Sequence, residues 1–177
     1  MDRIHISTVV YVPPEEAYDF LIDFPRYPRY TKYLKDVRQY GDGGTGTEYD
    51  MRFAWWKVGY TLRSAVTGTE RPERIDWRIE KDISASGSWV VEPTPEAVTE
   101  DREVGTASRI HLQAGFDPDT ADEDAVSLPR FVTLNRVIRK VKPLAIEEAK
   151  RVVSRAVRDL EGQHRDVELV VEERPDL

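Results

Sequence analysis

A chain of 177 residues with no cysteine and a formal charge of −7 has no disulfide, thiolate metal site or cysteine nucleophile. It also lacks the basic surface on which nucleic-acid binding runs. Its 40% hydrophobic and 33% charged residues describe a folded, soluble chain, with no run near the roughly 18 apolar residues of a membrane span.

The 26 basic residues divide into 19 Arg and 7 Lys. An acidic, Lys-poor chain fits a salt-rich, halophilic cytosol, and a GC-rich genome gives the same bias. Met1–Ser7 enters an alternating strand pattern with no basic-then-apolar leader, so cytoplasm is the expected location.

Arg3–Val12 reads as a strand ended by Pro13-Pro14. Pro14-Glu15-Glu16 then opens a helix with fixed φ and negative charge in its first turn, and Ala17, Phe20, Leu21 and Phe24 give it an apolar face. Asp23 and Pro25 start a second short helix, with Tyr27, Tyr30 and Tyr33 along it, a stripe that either packs onto the sheet or brings Tyr30 or Tyr33 to a pocket mouth. From Asp36 to Phe116 the texture is strands and turns. Gly41, Gly43 and Gly46 match the dinucleotide spacing G-x-G-x-x-G, but the following Thr47–Phe53 alternates like a strand, so no helix N-terminus is there to meet a pyrophosphate.

Thr47–Ala54 and Val58–Thr67 form a hairpin with Trp55-Trp56-Lys57 at its tip. With Val37–Tyr40 before the glycine turn, Arg74–Lys81, Ser86–Glu92 and Thr106–Phe116 complete about seven strands, mostly sequential, which favours one antiparallel sheet. Pro129–His164 is the long helix. Leu134, Ile138, Val141, Ala145, Ala149, Val152, Ala156 and Leu160 stripe one face at 3.6-residue spacing, and Arg136, Lys140, Glu147, Arg151, Ser154 and Arg158 occupy the other. Pro143 implies a kink or two abutting helices. The fold class is therefore α+β, a curled sheet with the last helix in its palm and two short helices between the first two strands. Residues 1–165 form one domain and 166–177 a tail, which either adds an edge strand, caps the helix or stays loose.

Period-two alternation puts Tyr49, Met51, Phe53, Tyr60, Leu62, Ile75, Trp77, Ile79, Trp89, Val91, Ile110, Leu112 and Ala114 on one sheet face. That face is either a solid core or a cavity wall. In the second case these residues, with Leu134, Ile138, Val141 and Ala145 of the helix, hold an apolar ligand. Tyr49, Tyr60, Ser64 and Ser108 are its polar members. Tyr60, among Met51, Leu62 and Trp77, is the best placed to donate to a ligand carbonyl.

The opening Val9–Pro28 resembles the START-like, or SRPBCC, superfamily, in particular its polyketide cyclase/dehydrase and coenzyme Q-binding branch. The matching positions are Val10 or Val12, Pro14, Glu16, Tyr18, Asp19, Asp23, Phe24, Tyr27 and Pro28; Ser88–Pro93 and the closing helix are similar too. The resemblance implies a helix-grip fold, a curved sheet around a C-terminal helix with a hydrophobic cavity between them. Its members bind or carry lipids, quinones, sterols and polyketides, and a minority are cyclases. The acidic Asp117–Asp124 run and the Asp166–Leu177 tail depart from it.

Catalytic signatures are sparse. No pair among His5, His111 and His164 has metal-site spacing along the chain, and His164 suits a helix C-terminus. The Asp117–Asp124 run lacks the Gly and Glu of a calcium loop, and there is no G-x-S-x-G elbow. The expectation is no metal and no cofactor, with catalytic residues unassigned.

Adjacent Trp55 and Trp56 must point opposite ways. One of them therefore faces out, as at a membrane interface, a partner surface or beneath a covering loop. The basic residues of the last helix fit pairing with the protein's own acids or contact with an anionic head group. Three functions are consistent with this: binding or transport of a hydrophobic small molecule; a polyketide or aromatic cyclase-dehydratase, where folding a reactive chain supplies rate by proximity; or a non-catalytic protein docking on a larger assembly. Oligomeric state is not encoded in any feature above.

Overall fold

The computed structural model describes residues 2–100, 105–121, 128–129 and 132–174. The side chains of residue 118 and of residues 134, 135, 137, 138, 141–143, 145 and 146 also lie outside the description. Strand β1 (Asp2–Val10) leads into helix α1 (Pro14–Ile22) and a 3-10 turn (Phe24–Arg29). Then come β2 (Leu34–Tyr40), β3 (Glu48–Trp55), β4 (Val58–Glu70), β5 (Arg74–Ile79), β6 (Ser84–Pro93) and β7 (Ser108–Asp117). Helix α2 (Leu134–Glu161) and a short β8 (Val170–Glu173) close the order. One antiparallel sheet runs β2-β3-β4-β5-β6-β7-β1-β8.

The eighth strand exceeds the seven expected. Val170 and Val171 of the tail pair with Ser7 and Ile6 of β1, giving backbone donors at the sheet edge a partner.

Local chemistry sets the boundaries. Pro14 supplies the fixed φ at the start of α1, and the Glu16 and Ala17 amides both donate to the Pro13 carbonyl at 3.1 Å. Pro25 and Pro28 confine the next segment to a 3-10 turn. At Gly41, with φ +134°, a Cβ would lie 2.8 Å from Thr47 Oγ1, so the β2–β3 turn needs glycine there. The strand after that turn is β3, which removes the helix a nucleotide site requires. Thr133 caps α2 by accepting the Arg136 amide, and Gly162, left-handed at φ 77°, ends it. The helix runs unbroken through residue 143, so the last helix is one element and not two.

Register confirms the sorting of faces. Met51 opposes Leu62, Phe53 opposes Tyr60, Ile75 opposes Trp89, Trp89 opposes Leu112 and Val91 opposes Ile110. All therefore point to one side. Register shifts between Val66 and Gly68 and between Leu34 and Asp36 bend the strands, and the sheet curves over α2.

At one end the space beneath it is solid. Val10, Tyr18, Leu21, Phe24, Tyr49, Ile75, Val91, Ile110 and Val157 form a buried cluster. There Phe24 meets Tyr49 edge-on at 4.9 Å.

The C-terminal end of α2 is tied to β1. Glu161 accepts two hydrogen bonds from Arg165, at 2.7 and 2.8 Å, and one from the Tyr11 amide at 2.9 Å. Arg165 also donates to the Val9 carbonyl at 2.9 Å and lies over the Tyr11 ring.

Candidate ligand cavity

Toward the β3–β4 hairpin the same inner face borders open space among the described residues. A cavity of about 360 Å³ opens between that hairpin, the segment after the 3-10 turn and the middle of α2. Phe53, Ala54, Trp55, Val58 and Tyr60 form the sheet wall, Thr31 and Tyr33 one side, and Leu144, Glu148 and Ala149 the helix side. Period two brings Phe53 and Trp55 inward on β3 and their partners Tyr60 and Val58 inward on β4.

The chemically distinctive member is Glu148, a buried carboxylate in a mostly apolar wall. Its Oε1 accepts from Thr31 Oγ1 at 3.0 Å and lies 3.5 Å from Arg155 Nη1; Oε2 accepts from Arg151 Nη1 at 3.4 Å. Two guanidiniums outside the wall thus balance one carboxylate inside it, the pairing a buried charge requires. Arg155 is itself fixed by donating to the Tyr30 carbonyl at 2.9 Å, and the Tyr30 hydroxyl donates to Asp159. Tyr60 is the polar residue of the sheet wall. Its hydroxyl points to Asp82 Oδ2 at 3.4 Å. Burial, and then the Asp82 charge, push the phenol up to about 12, so it is a proton-bearing donor at neutral pH.

Of the expected ligand contacts, Phe53 and Tyr60 line this cavity. Tyr49, Val91 and Ile110 belong instead to the solid cluster, with Met51 and Trp89 packed against it, because α1 and the 3-10 turn cover that end of the face. Leu62, Trp77, Ile79, Leu112 and Ala114 share the face by register and are half-buried, but they do not line the cavity. The side chains of Leu134, Ile138, Val141 and Ala145 lie outside the described residues, as do Asp122–Asp124 of the acidic run. Ser108 donates to the Val12 carbonyl at 2.8 Å, so its hydroxyl is committed to the backbone.

Sequence pattern does not single out Thr31, Ala54, Trp55, Val58, Leu144 and Glu148 for the cavity, whereas Tyr33 is one of two tyrosines expected either at a pocket mouth or packed on the sheet, and Ala149 lies on the apolar stripe. Glu148 carries a usable signal, since it falls three residues after Ala145 and four before Val152, on the apolar stripe itself.

Trp55 turns into the cavity while Trp56, at φ 52°, is 66% exposed, with Lys57 Nζ 5.7 Å from its ring centre. A further recess of about 550 Å³ is lined by Trp55, Trp56, Val132, Arg136 and Lys140. Elsewhere, spacing along the chain proves a poor guide to histidine pairing. His5 and His111 stand 106 residues apart and meet across β1 and β7 with ring nitrogens 3.0 Å apart.

A curved antiparallel sheet closed by a C-terminal helix over an apolar cavity is the helix-grip architecture. The chain belongs to the polyketide cyclase / dehydrase and lipid transport family, whose model matches residues 1–163. The fold is similar to that of the Zhui aromatase/cyclase from Streptomyces sp. R1128, with a TM-score of 0.60 and 14% identity over 90% of this chain and 93% of that one. It is also similar to the protein TTHA0849 from Thermus thermophilus, with a TM-score of 0.59 and 16% identity over 90% and 97%. Ara h 8.0201 gives a TM-score of 0.56 and 15% identity over 88% and 97%. At such identities the likeness is one of fold. The search of curated proteins by sequence found no match. Among the described residues no helix is long and apolar enough to cross a membrane.

Proposed function

We propose that the chain binds a hydrophobic small molecule of the lipid, quinone or polyketide class, in the cavity between the β3–β4 hairpin and α2. The observation that carries this reading is the cavity itself. At about 360 Å³ it lies at the lower end of the range for small-molecule pockets, and its walls are mostly carbon. Burial of apolar ligand surface supplies the affinity, at roughly 25 cal/mol per Å². Glu148 and Tyr60 supply the orientation. Native mass spectrometry of protein purified from its own organism tests it: a retained apolar adduct is the expected result. Titration with quinones, fatty acids and aromatic polyketides gives the same answer through Trp55, whose fluorescence responds to occupancy. If neither an adduct nor a saturable response is found, the reading fails.

A second reading rests on Glu148. A buried carboxylate facing a bound chain of carbonyls is placed for general acid–base chemistry in a cyclisation or dehydration. Glu148→Gln separates the two. In a carrier it changes ligand affinity by less than about tenfold and nothing else. In a cyclase or dehydratase it removes turnover of a poly-β-ketone substrate by a factor of about 10² or more while binding persists.

A further inference from the structure

The outer face of the sheet carries a constellation that the cavity does not use. Glu172 Oε2 on β8 lies 3.1 Å from His5 Nδ1 on β1. His5 Nε2 lies 3.0 Å from His111 Nδ1 on β7, and His111 Nε2 lies 3.2 Å from Glu92 Oε2 on β6. Four strands thus contribute one continuous chain of carboxylate, imidazole, imidazole and carboxylate. His5, His111 and Glu172 each offer a ligand atom within 4.8 Å of the others.

Each carboxylate accepts only, so His5 Nδ1 and His111 Nε2 carry the ring protons. The two nitrogens that face each other across 3.0 Å are then both lone-pair donors, and an electrophile belongs between them. From this geometry we infer a binding site for a divalent transition-metal ion of the zinc, nickel or copper class, held by His5 Nε2 and His111 Nδ1. Imidazole nitrogens bind these ions at about 2.0–2.1 Å, so two of them stand roughly 3.3 Å apart in a tetrahedral site, a few tenths of an ångström from the spacing found. Glu172 and Glu92 fix the tautomer and tilt of each ring, the role carboxylates play behind metal-bound histidines. Their two negative charges match the ion. Of the nearby cations, Arg109 donates to Ser7 Oγ at 3.5 Å, and Ser7 in turn donates to Glu172; Arg3 borders the same outer recess as His5. That recess, of about 400 Å³, also has Ser86, Ser88, Gln113 and Glu173 on its walls.

Calorimetric titration of the tag-free, chelator-treated chain with Zn²⁺ and with Ni²⁺ tests the site. One saturating site is expected, with affinity lowered at least about tenfold by His5→Gln and by His111→Gln. A loss of about tenfold is expected for Glu92→Gln and for Glu172→Gln, and none for His164→Gln. Electron paramagnetic resonance of the unaltered chain with one equivalent of Cu²⁺ should show coupling to two imidazole nitrogens, a readout that does not depend on any variant folding. The absence of saturable binding, binding that survives both histidine substitutions, or a spectrum with a single nitrogen overturns the site. In the first case the electrophile between the rings is a shared proton.

Discussion

The two ends of the space between sheet and α2 are built from the same strands and the same inward residue parity, yet one is packed and the other open. At the packed end α1 and the 3-10 turn insert Tyr18, Leu21 and Phe24 between the sheet and Val157 of α2. At the open end no such layer intervenes among the described residues, and Phe53, Trp55, Val58 and Tyr60 look across empty volume at Leu144, Glu148 and Ala149. An inward side chain therefore becomes core or cavity wall according to what covers it, not according to its own chemistry.

Paired truncations break this comparison most directly. Ile75→Ala, at a site with no exposed surface, should cost about 2–5 kcal/mol. Val58→Ala at the cavity wall should cost about 1 kcal/mol or less, both read by chemical denaturation. Equal costs would mean that the open end is as tightly packed as the closed one. Gly87→Ala adds volume instead of removing it. Its Cβ would sit 2.4 Å from Trp77 Cζ2 and 2.5 Å from the Gln113 carbonyl oxygen, so a loss of about 1–3 kcal/mol is expected, with altered tryptophan fluorescence as Trp77 is displaced.

Tyr49→Phe sharpens the contrast from the packed side. The Tyr49 hydroxyl is buried with no hydrogen-bond partner among the described residues, and removing an unsatisfied group is neutral or stabilising, by up to about 1 kcal/mol. A clear drop in Tm would reveal a partner such as a buried water.

The remaining effect is alkaline and belongs to the open end. Tyr60 is held up to about 12 in the folded chain, above the ordinary value near 10. Its contribution to stability is complete below about pH 10 and disappears as pH rises from about 10 to about 12, because the unfolded chain loses that proton first. Tyr60→Phe should flatten this part of the stability–pH curve, measured by urea denaturation across that window.

Much of this architecture is legible in the residues alone. Alternation in Tyr49–Phe53 and Ile75–Ile79 identifies the inner face because period two survives any curvature of the sheet. The Pro14 and Gly41 positions mark boundaries because they act through local backbone geometry. What alternation does not carry is cover: Tyr49 and Phe53 look alike along β3, and only the placement of Phe24 distinguishes them. Glu148 escapes notice because Ala149 fits the apolar stripe nearly as well. The meeting of His5 with His111 depends on the β1–β7 register, which no local spacing records. In the tail, the few residues from Val170 are too short a run to be told from a loose end.

The clasp of Arg165 and Glu161 onto β1 has a mechanical consequence. The middle of α2 overhangs the cavity, while this end is bolted to the backbone of Val9 and Tyr11 by the hydrogen bonds given above. The helix is thus a lever with its fulcrum beside Gly162. A tilt of a few degrees there shifts the region of Leu144, about 17 residues and roughly 25 Å away at 1.5 Å per residue, by an ångström or more. Widening the mouth therefore leaves the packed end almost undisturbed.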